Sequence, residues 1–252
     1  MISPSPLTNP ALWVGHSSWA VDVEVLLYCL PYSGAGAGVF QHWSRTLPPT
    51  VALVAIRLPG REQRIAEPHD IDPEQIASVI AATANRPYAL YGHSLGARVG
   101  FEVLRQLRTR GAPLPVRFYP AAARPPDVID PLAAEVADLP DDQFLALLTE
   151  RLSAPAELRD EPELRDLMLP ILRADLEWIR RYRYCPEPPL PVPIVALAGE
   201  DDRECGLDEM LGWARHTSST CQMRTIPGDH FFLRTAEGMP AMLADELLGE
   251  VR

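Results

Sequence analysis

Tyr88-Ala89-Leu90-Tyr91-Gly92-His93-Ser94-Leu95-Gly96 runs from an apolar tract into a helical one at 97–110, with Gly-x-Ser-x-Gly at the junction. A strand that turns abruptly into a helix is the setting a nucleophilic serine requires. The turn at Ser94 is so tight that side chains two residues to either side would collide, and Gly92 and Gly96 remove them. The hydroxyl then stands above the end of the strand, at a helix N-terminus that favours developing negative charge. The same pentapeptide occurs by chance in glycine-rich turns, so its meaning depends on what the chain places around it.

Working outward, six apolar runs bounded by Pro, Gly or polar residues read as short buried strands: 23–30, 51–57, 88–91, 116–119, 194–198 and 221–226. Helical patterns lie between them at 39–47, 73–85, 95–110, 207–214 and 239–251. This alternation predicts an α/β fold with a mostly parallel sheet covered by helices on both faces. It breaks between 121 and 191. There, 141–152 is amphipathic through Phe144, Leu145, Leu147, Leu148 and Leu152, and 163–182 is a second helical stretch that Pro170 is expected to break or kink. A helical cap inserted at about 124–190 accounts for this region, the alternative being a separate small helical domain. Five prolines between 186 and 193 make a stiff return to the sheet. Residues 1–22 read as a loose leader with Trp13 or Trp19 packed down, and 23–252 as one domain carrying the cap.

The 252 residues are 47% hydrophobic, enough for a substantial core, and carry a net charge of -11. That charge argues against a nucleic-acid binder, which needs a basic face. Every cationic side chain of the 23 is Arg, so a phosphate loop of the Gly-x-x-x-x-Gly-Lys kind is excluded. Cys29, Cys185, Cys205 and Cys221 form no Cys-x-x-Cys pair and have no histidine cluster near them, and there is no secretory signal. They are expected to be free thiols in a reducing cytoplasm, with no metal site. No apolar run approaches a membrane span.

A nucleophilic serine needs a base and a group that orients the base. Behind an elbow of this kind the acid and then the histidine follow the serine in the chain. Of six histidines, only His216 and His230 lie after both Ser94 and a later strand. His230 occupies the tight loop Pro227-Gly228-Asp229-His230-Phe231-Phe232 after the last strand; His216 reads as a solvated helix end, and His93 as a packing or hydrogen-bonding residue at the elbow. The strand at 194–198 ends in Gly199-Glu200-Asp201-Asp202, where Asp202 is favoured over Asp201 and Glu200 as the orienting acid. An oxyanion hole needs two backbone N–H groups aimed at one point. Leu95 supplies the first. The loop Pro31-Tyr32-Ser33-Gly34-Ala35-Gly36-Ala37-Gly38 supplies the second, at Ser33; its glycine spacing is not that of a dinucleotide fingerprint.

Four motifs extend this pattern: 27–35, Leu-Tyr-Cys-Leu-Pro-Tyr-Ser-Gly-Ala; 58–64, Leu-Pro-Gly-Arg-Glu-Gln-Arg; 86–97 around the elbow; and 228–233, Gly-Asp-His-Phe-Phe-Leu. With them, the tract 167–184 looks like a cap, and the chain over roughly 24–250 resembles the type II thioesterases of polyketide and non-ribosomal peptide synthesis, within the α/β-hydrolase superfamily. The segment Pro59-Gly60-Arg61-Glu62 discriminates, because most lipases and esterases lack it. Ser33 stands where the family usually has Ala, Ala35 and Asp229 where Gly is common, and no Pro follows Asp202. The resemblance implies an α/β-hydrolase fold with a helical lid. It also implies hydrolysis of acyl thioesters from the phosphopantetheine arm of acyl or peptidyl carrier proteins, with Ser94, Asp202 and His230 catalytic and the N–H groups of Ser33 and Leu95 holding the oxyanion. No metal or bound cofactor is implied, and a monomer is expected. Phe144, Leu148, Met168, Leu172 and Leu176 would line the acyl pocket. Arg61, Arg64, Arg98 and Arg124 are the candidates for docking an acidic carrier. The rival readings are a small-ester esterase or lipase, an acyltransferase using the same three residues, and a non-catalytic pseudo-hydrolase that binds a ligand or partner.

Overall fold

Among the described residues seven strands, one more than expected, make a single sheet in the order β1-β3-β2-β4-β5-β6-β7. The computed structural model describes residues 10–17, 22–152 and 157–251. In chain order the strands are β1 (Val14–Ser17), β2 (Val25–Leu30), β3 (Val51–Ile56), β4 (Tyr88–His93), β5 (Arg117–Ala121), β6 (Ile194–Gly199) and β7 (Cys221–Ile226). The helices are α1 (Pro10–Trp13), α2 (Pro73–Thr83), α3 (Leu95–Thr109), α4 (Pro131–Val136), α5 (Asp141–Leu152), α6 (Glu157–Asp160), α7 (Pro162–Arg181), α8 (Leu207–Met210), α9 (Phe232–Thr235) and α10 (Met239–Val251). The expected helix at 39–47 is a 3₁₀ segment, Ala37–Arg45, and that at 207–214 is α8 followed by a 3₁₀ turn, Leu211–His216.

The pairings from β2 through β7 are parallel. β2, β3, β4 and β6 are buried at every position, which is why they read as unbroken apolar runs rather than alternating ones. Leu26, Tyr28 and Leu30 face one layer with Ile76 and Ile80 of α2 and Val99 and Val103 of α3. Val25, Leu27 and Cys29 face the other, with Phe40, Trp43 and Leu243 and Leu247 of α10.

The extra strand is β1, antiparallel to β3, pairing Val14 with Ile56 and Ser17 with Val54. Its sequence, Val-Gly-His-Ser, carries no apolar run. Backbone pairing and its neighbour Trp13 hold it: Trp13 is buried, accepts the Arg57 N–H at 2.7 Å, and lies 3.7 Å beneath the Arg64 guanidinium. Trp19 lies outside the described residues.

Helices α4 to α7 form the lid between β5 and β6. Pro170 does not end α7, which runs on to Arg181. Proline removes one hydrogen bond, to the carbonyl of Asp166. Both residues are exposed, so that carbonyl is left to water, while buried Ile171, Leu172, Leu176 and Ile179 anchor the rest of the helix. Among the described residues no helix is long and apolar enough to cross a membrane.

Candidate active site

β4 delivers Ser94 to the first position before α3 with φ 53° and ψ -114°, a strained backbone for a residue with a Cβ. The two glycines are obligatory for steric reasons. A Cβ on Gly92 would stand 2.2 Å from the Gly96 carbonyl oxygen, and one on Gly96 would stand 2.3 Å from the Leu30 carbonyl oxygen. The Ser94 N–H donates to the Ala121 carbonyl at 2.8 Å, which ties the turn to the end of β5. Its side chain makes no cap hydrogen bond, so the hydroxyl is not spent on the helix it precedes. The Leu95 N–H is one of the four at the start of α3 that have no partner within the helix.

His230 follows β7, and Asp202 follows β6. His230 Nδ1 lies 2.8 Å from Asp202 Oδ2, while Asp202 Oδ1 accepts the N–H groups of Glu204 at 2.9 Å and Cys205 at 3.0 Å. Burial alone would raise the Asp202 carboxyl. The hydrogen bond and charge of His230, with those two N–H donors, outweigh it and hold the group below the usual carboxylate range. Asp201 is exposed. Asp229 Oδ1 accepts the Phe231 N–H at 2.8 Å and so shapes the loop that carries His230.

His93 is fully buried beneath this pair. The carbonyl of His230 can only accept, so His93 Nε2–H donates to it at 2.7 Å, and Nδ1 accepts the Tyr91 hydroxyl at 2.8 Å. Burial first, then the charge of His230, pushes His93 down to about 3. A histidine ordinarily titrates near 6.5, so the unfolded chain takes up this proton before the folded one does. Stability is therefore complete above about 6.5 and declines as pH falls from there toward 3, by up to about 1.4 kcal/mol per pH unit from this one group. Urea unfolding of the parent and of His93→Gln, which keeps a donor and an acceptor without the titration, is expected to show the shallower acid slope in the variant. Equal slopes would remove His93 as the cause.

Ser33, Ser94, Leu95 and His230 line one cavity of about 330 Å³ under the lid. Ser33 Oγ is shut off from solvent with no hydrogen-bond partner. Leu148, Met168, Leu172 and Leu176 line the same cavity, joined by Leu164 and Ile179 of α7, which the sequence reading did not single out. Their spacing along α7 is helical, and the expectation of a break or kink at Pro170 hid its continuity. Phe144 is placed elsewhere: one turn before Leu148, it packs between α4 and α7 with the Arg173 guanidinium 4.1 Å above its ring. The lid also reaches the acid loop, where Arg151 of α5 donates Nη2 to Glu204 Oε2 at 2.9 Å.

Three of the four candidate docking arginines are buried: Arg61 against Asp175, Arg64 against Glu67, and Arg98 against the carbonyls of Pro126 and Val128. Arg124 is half-buried, 4.0 Å from Glu209. His216 is also buried rather than solvated. Its ring packs beside Phe101, Tyr184 and Trp213, and Nε2 lies 2.8 Å from Asp127 Oδ1. Among the described residues no group of three or more His, Cys, Asp or Glu side chains is placed to hold a metal ion.

The thioesterase domain family matches residues 26–246. The chain is similar to thioesterase PikA5 of Streptomyces venezuelae, 35% identical over 89% of this chain and 81% of that one. Among solved structures it is similar to the RedJ thioesterase of the prodiginine pathway in Streptomyces coelicolor, with a TM-score of 0.82 at 29% identity over 97% of this chain and 98% of the other. It is likewise similar to BorB, the type II thioesterase of the borrelidin cluster, with a TM-score of 0.79 at 29% identity over 94% and 97%. A family match running from β2 into α10, with relatives this similar over nearly the whole chain, makes the protein a member of the thioesterase family, as a type II thioesterase of the α/β-hydrolase superfamily.

Proposed function

We propose that this thioesterase clears acyl groups from the phosphopantetheine thiol of acyl or peptidyl carrier proteins in a polyketide or non-ribosomal peptide assembly line, through Ser94, His230 and Asp202. The observation that carries the reading is that Ser94 and the Asp202-paired His230 line one cavity together with apolar residues of the lid. In this mechanism Ser94 Oγ attacks the thioester carbonyl as His230 Nε2 takes its proton. Asp202 keeps the proton on Nδ1 and stabilises the imidazolium. The N–H groups of Ser33 and Leu95 receive the oxyanion, worth about 3–4 kcal/mol for a single donor in comparable sites. Collapse of the tetrahedral intermediate expels the pantetheine thiolate, which takes the proton back from His230. Water, deprotonated by the same imidazole, then releases the acid from Ser94.

Leu148, Met168, Leu172 and Leu176 hold the acyl chain; Phe144 supports the lid from behind. No cofactor takes part. A cytoplasmic monomer is the expected state, and the four cysteines, all free thiols, fit a reducing compartment.

One acyl group presented on a carrier protein and as a free N-acetylcysteamine thioester tests the substrate class. The carrier form is expected to show the higher kcat/KM, mostly through KM, because binding away from the reacting carbon is then in play. Equal kcat/KM for the two would replace carrier editing by general thioester hydrolysis.

A further inference from the structure

Asp175 lies in the lid helix α7, one turn after Leu172, and is 1% exposed. Its carboxylate reaches the loop after β2. Oδ2 accepts the Gly34 N–H at 2.7 Å, and Arg61 grips both oxygens, Nη1 at 2.8 Å and Nη2 at 2.7 Å. Arg61 also donates to the carbonyls of Ala35 at 3.1 Å and Pro59 at 3.2 Å. Gly34 has φ 84°, and a Cβ there would stand 2.6 Å from Leu172 Cδ2. The lid thus meets the bare backbone of this loop with an i, i+3 pair from one helix face. Glu62, beside Arg61, takes the loop's other end: its Oε1 accepts the Gly38 N–H at 2.8 Å.

A buried ion pair is weak grounds for stability, because two apolar residues of similar volume often serve as well. What a carboxylate does here that leucine cannot is fix the orientation of a peptide N–H. The loop has no stiffness of its own, with glycine at 34, 36 and 38. Its neighbouring N–H, on Ser33, must hold a fixed direction if it is to stabilise an oxyanion.

We propose that Asp175 is a positioning residue for the oxyanion hole: held by Arg61, its carboxylate clamps the Gly34 N–H, and so the hole is complete only with α7 docked. This rests on the reading of Ser33 as an oxyanion donor given above. The Pro59-Gly60-Arg61-Glu62 segment then serves as the anchor of the glycine loop at both ends.

The test compares Asp175→Asn and the apolar double variant Arg61→Met/Asp175→Leu with the parent. The readouts are kcat and KM on a free acyl thioester, melting temperature, and affinity for two analogues of one acyl chain: a trifluoromethyl ketone, which forms an oxyanion on the serine, and an amide, which does not. Expected is a kcat loss on the order of 10- to 100-fold with KM within about twofold. Ketone affinity should fall in parallel while amide affinity holds. The double variant, which leaves no charge unpaired, is expected to fold, to melt below the parent because the buried Gly34 N–H loses its acceptor, and to lose kcat. Parental kcat in a folded double variant, or equal loss of affinity for both analogues, overturns the proposal. Ser94→Ala run alongside separates the two ideas. If it keeps parental turnover, the nucleophile assignment itself fails. If it is inactive while the double variant is fully active, only the clamp fails.

Discussion

Ser94→Ala is expected to lose thioester hydrolysis by on the order of 10⁵- to 10⁶-fold while folding as the parent does. Ser and Ala both carry a Cβ, so the strained backbone at φ 53° costs the two residues the same. The hydroxyl makes no cap hydrogen bond whose loss would weaken α3. Stability and activity should therefore separate cleanly. Residual turnover would come from Ser33, Leu95 and the lid binding the thioester for attack by water. Intact-mass spectrometry during turnover is expected to show an acyl adduct on the parent and none on the variant. An adduct on Ser94→Ala, or parental turnover by it, would move the nucleophile elsewhere.

Asp202→Asn is expected to cost about 10⁴-fold in kcat, and Asp201→Asn less than about twofold. The two N–H donors from Glu204 and Cys205 demand an acceptor at Oδ1, so the new amide oxygen stays there. The amide NH₂ then faces His230 Nδ1 where a carboxylate oxygen lay at 2.8 Å. Nδ1 must become the acceptor, the ring proton moves to Nε2, and the imidazole can no longer receive the Ser94 proton. Asp201 is exposed and has no such constraint. A larger loss in Asp201→Asn than in Asp202→Asn would reverse the assignment.

β2, β3, β4 and β6 were legible because burial on both faces writes itself as an apolar run, and the elbow because only glycine tolerates its contacts. β1 was not: its register is set by backbone pairing with β3, to which Val-Gly-His-Ser contributes little apolar pattern. The acid loop left Asp201 and Asp202 adjacent, and only the fold decides which of two neighbours turns inward. The α7 wall of the cavity was half legible, since Met168, Leu172 and Leu176 were read, but Pro170 suggested a break or kink, and the helix runs through it. Least legible were Arg61 and Asp175. They are 114 positions apart, and a charged pair distant in sequence gives no periodic signal.

The lid is anchored at two separate points of the reaction centre, Asp175 on the glycine loop and Arg151 on Glu204 beside Asp202. Engineering chain-length preference by transplanting a lid from another thioesterase thus faces a compatibility condition. The donor helix must bring its own Leu172 and Asp175 equivalents in the same three-residue spacing, opposite a recipient glycine and arginine. Cavity wall and anchor lie on the same helix, so individual substitutions at Met168 or Leu176 change the wall while leaving the anchor in place, which exchange of the whole segment does not.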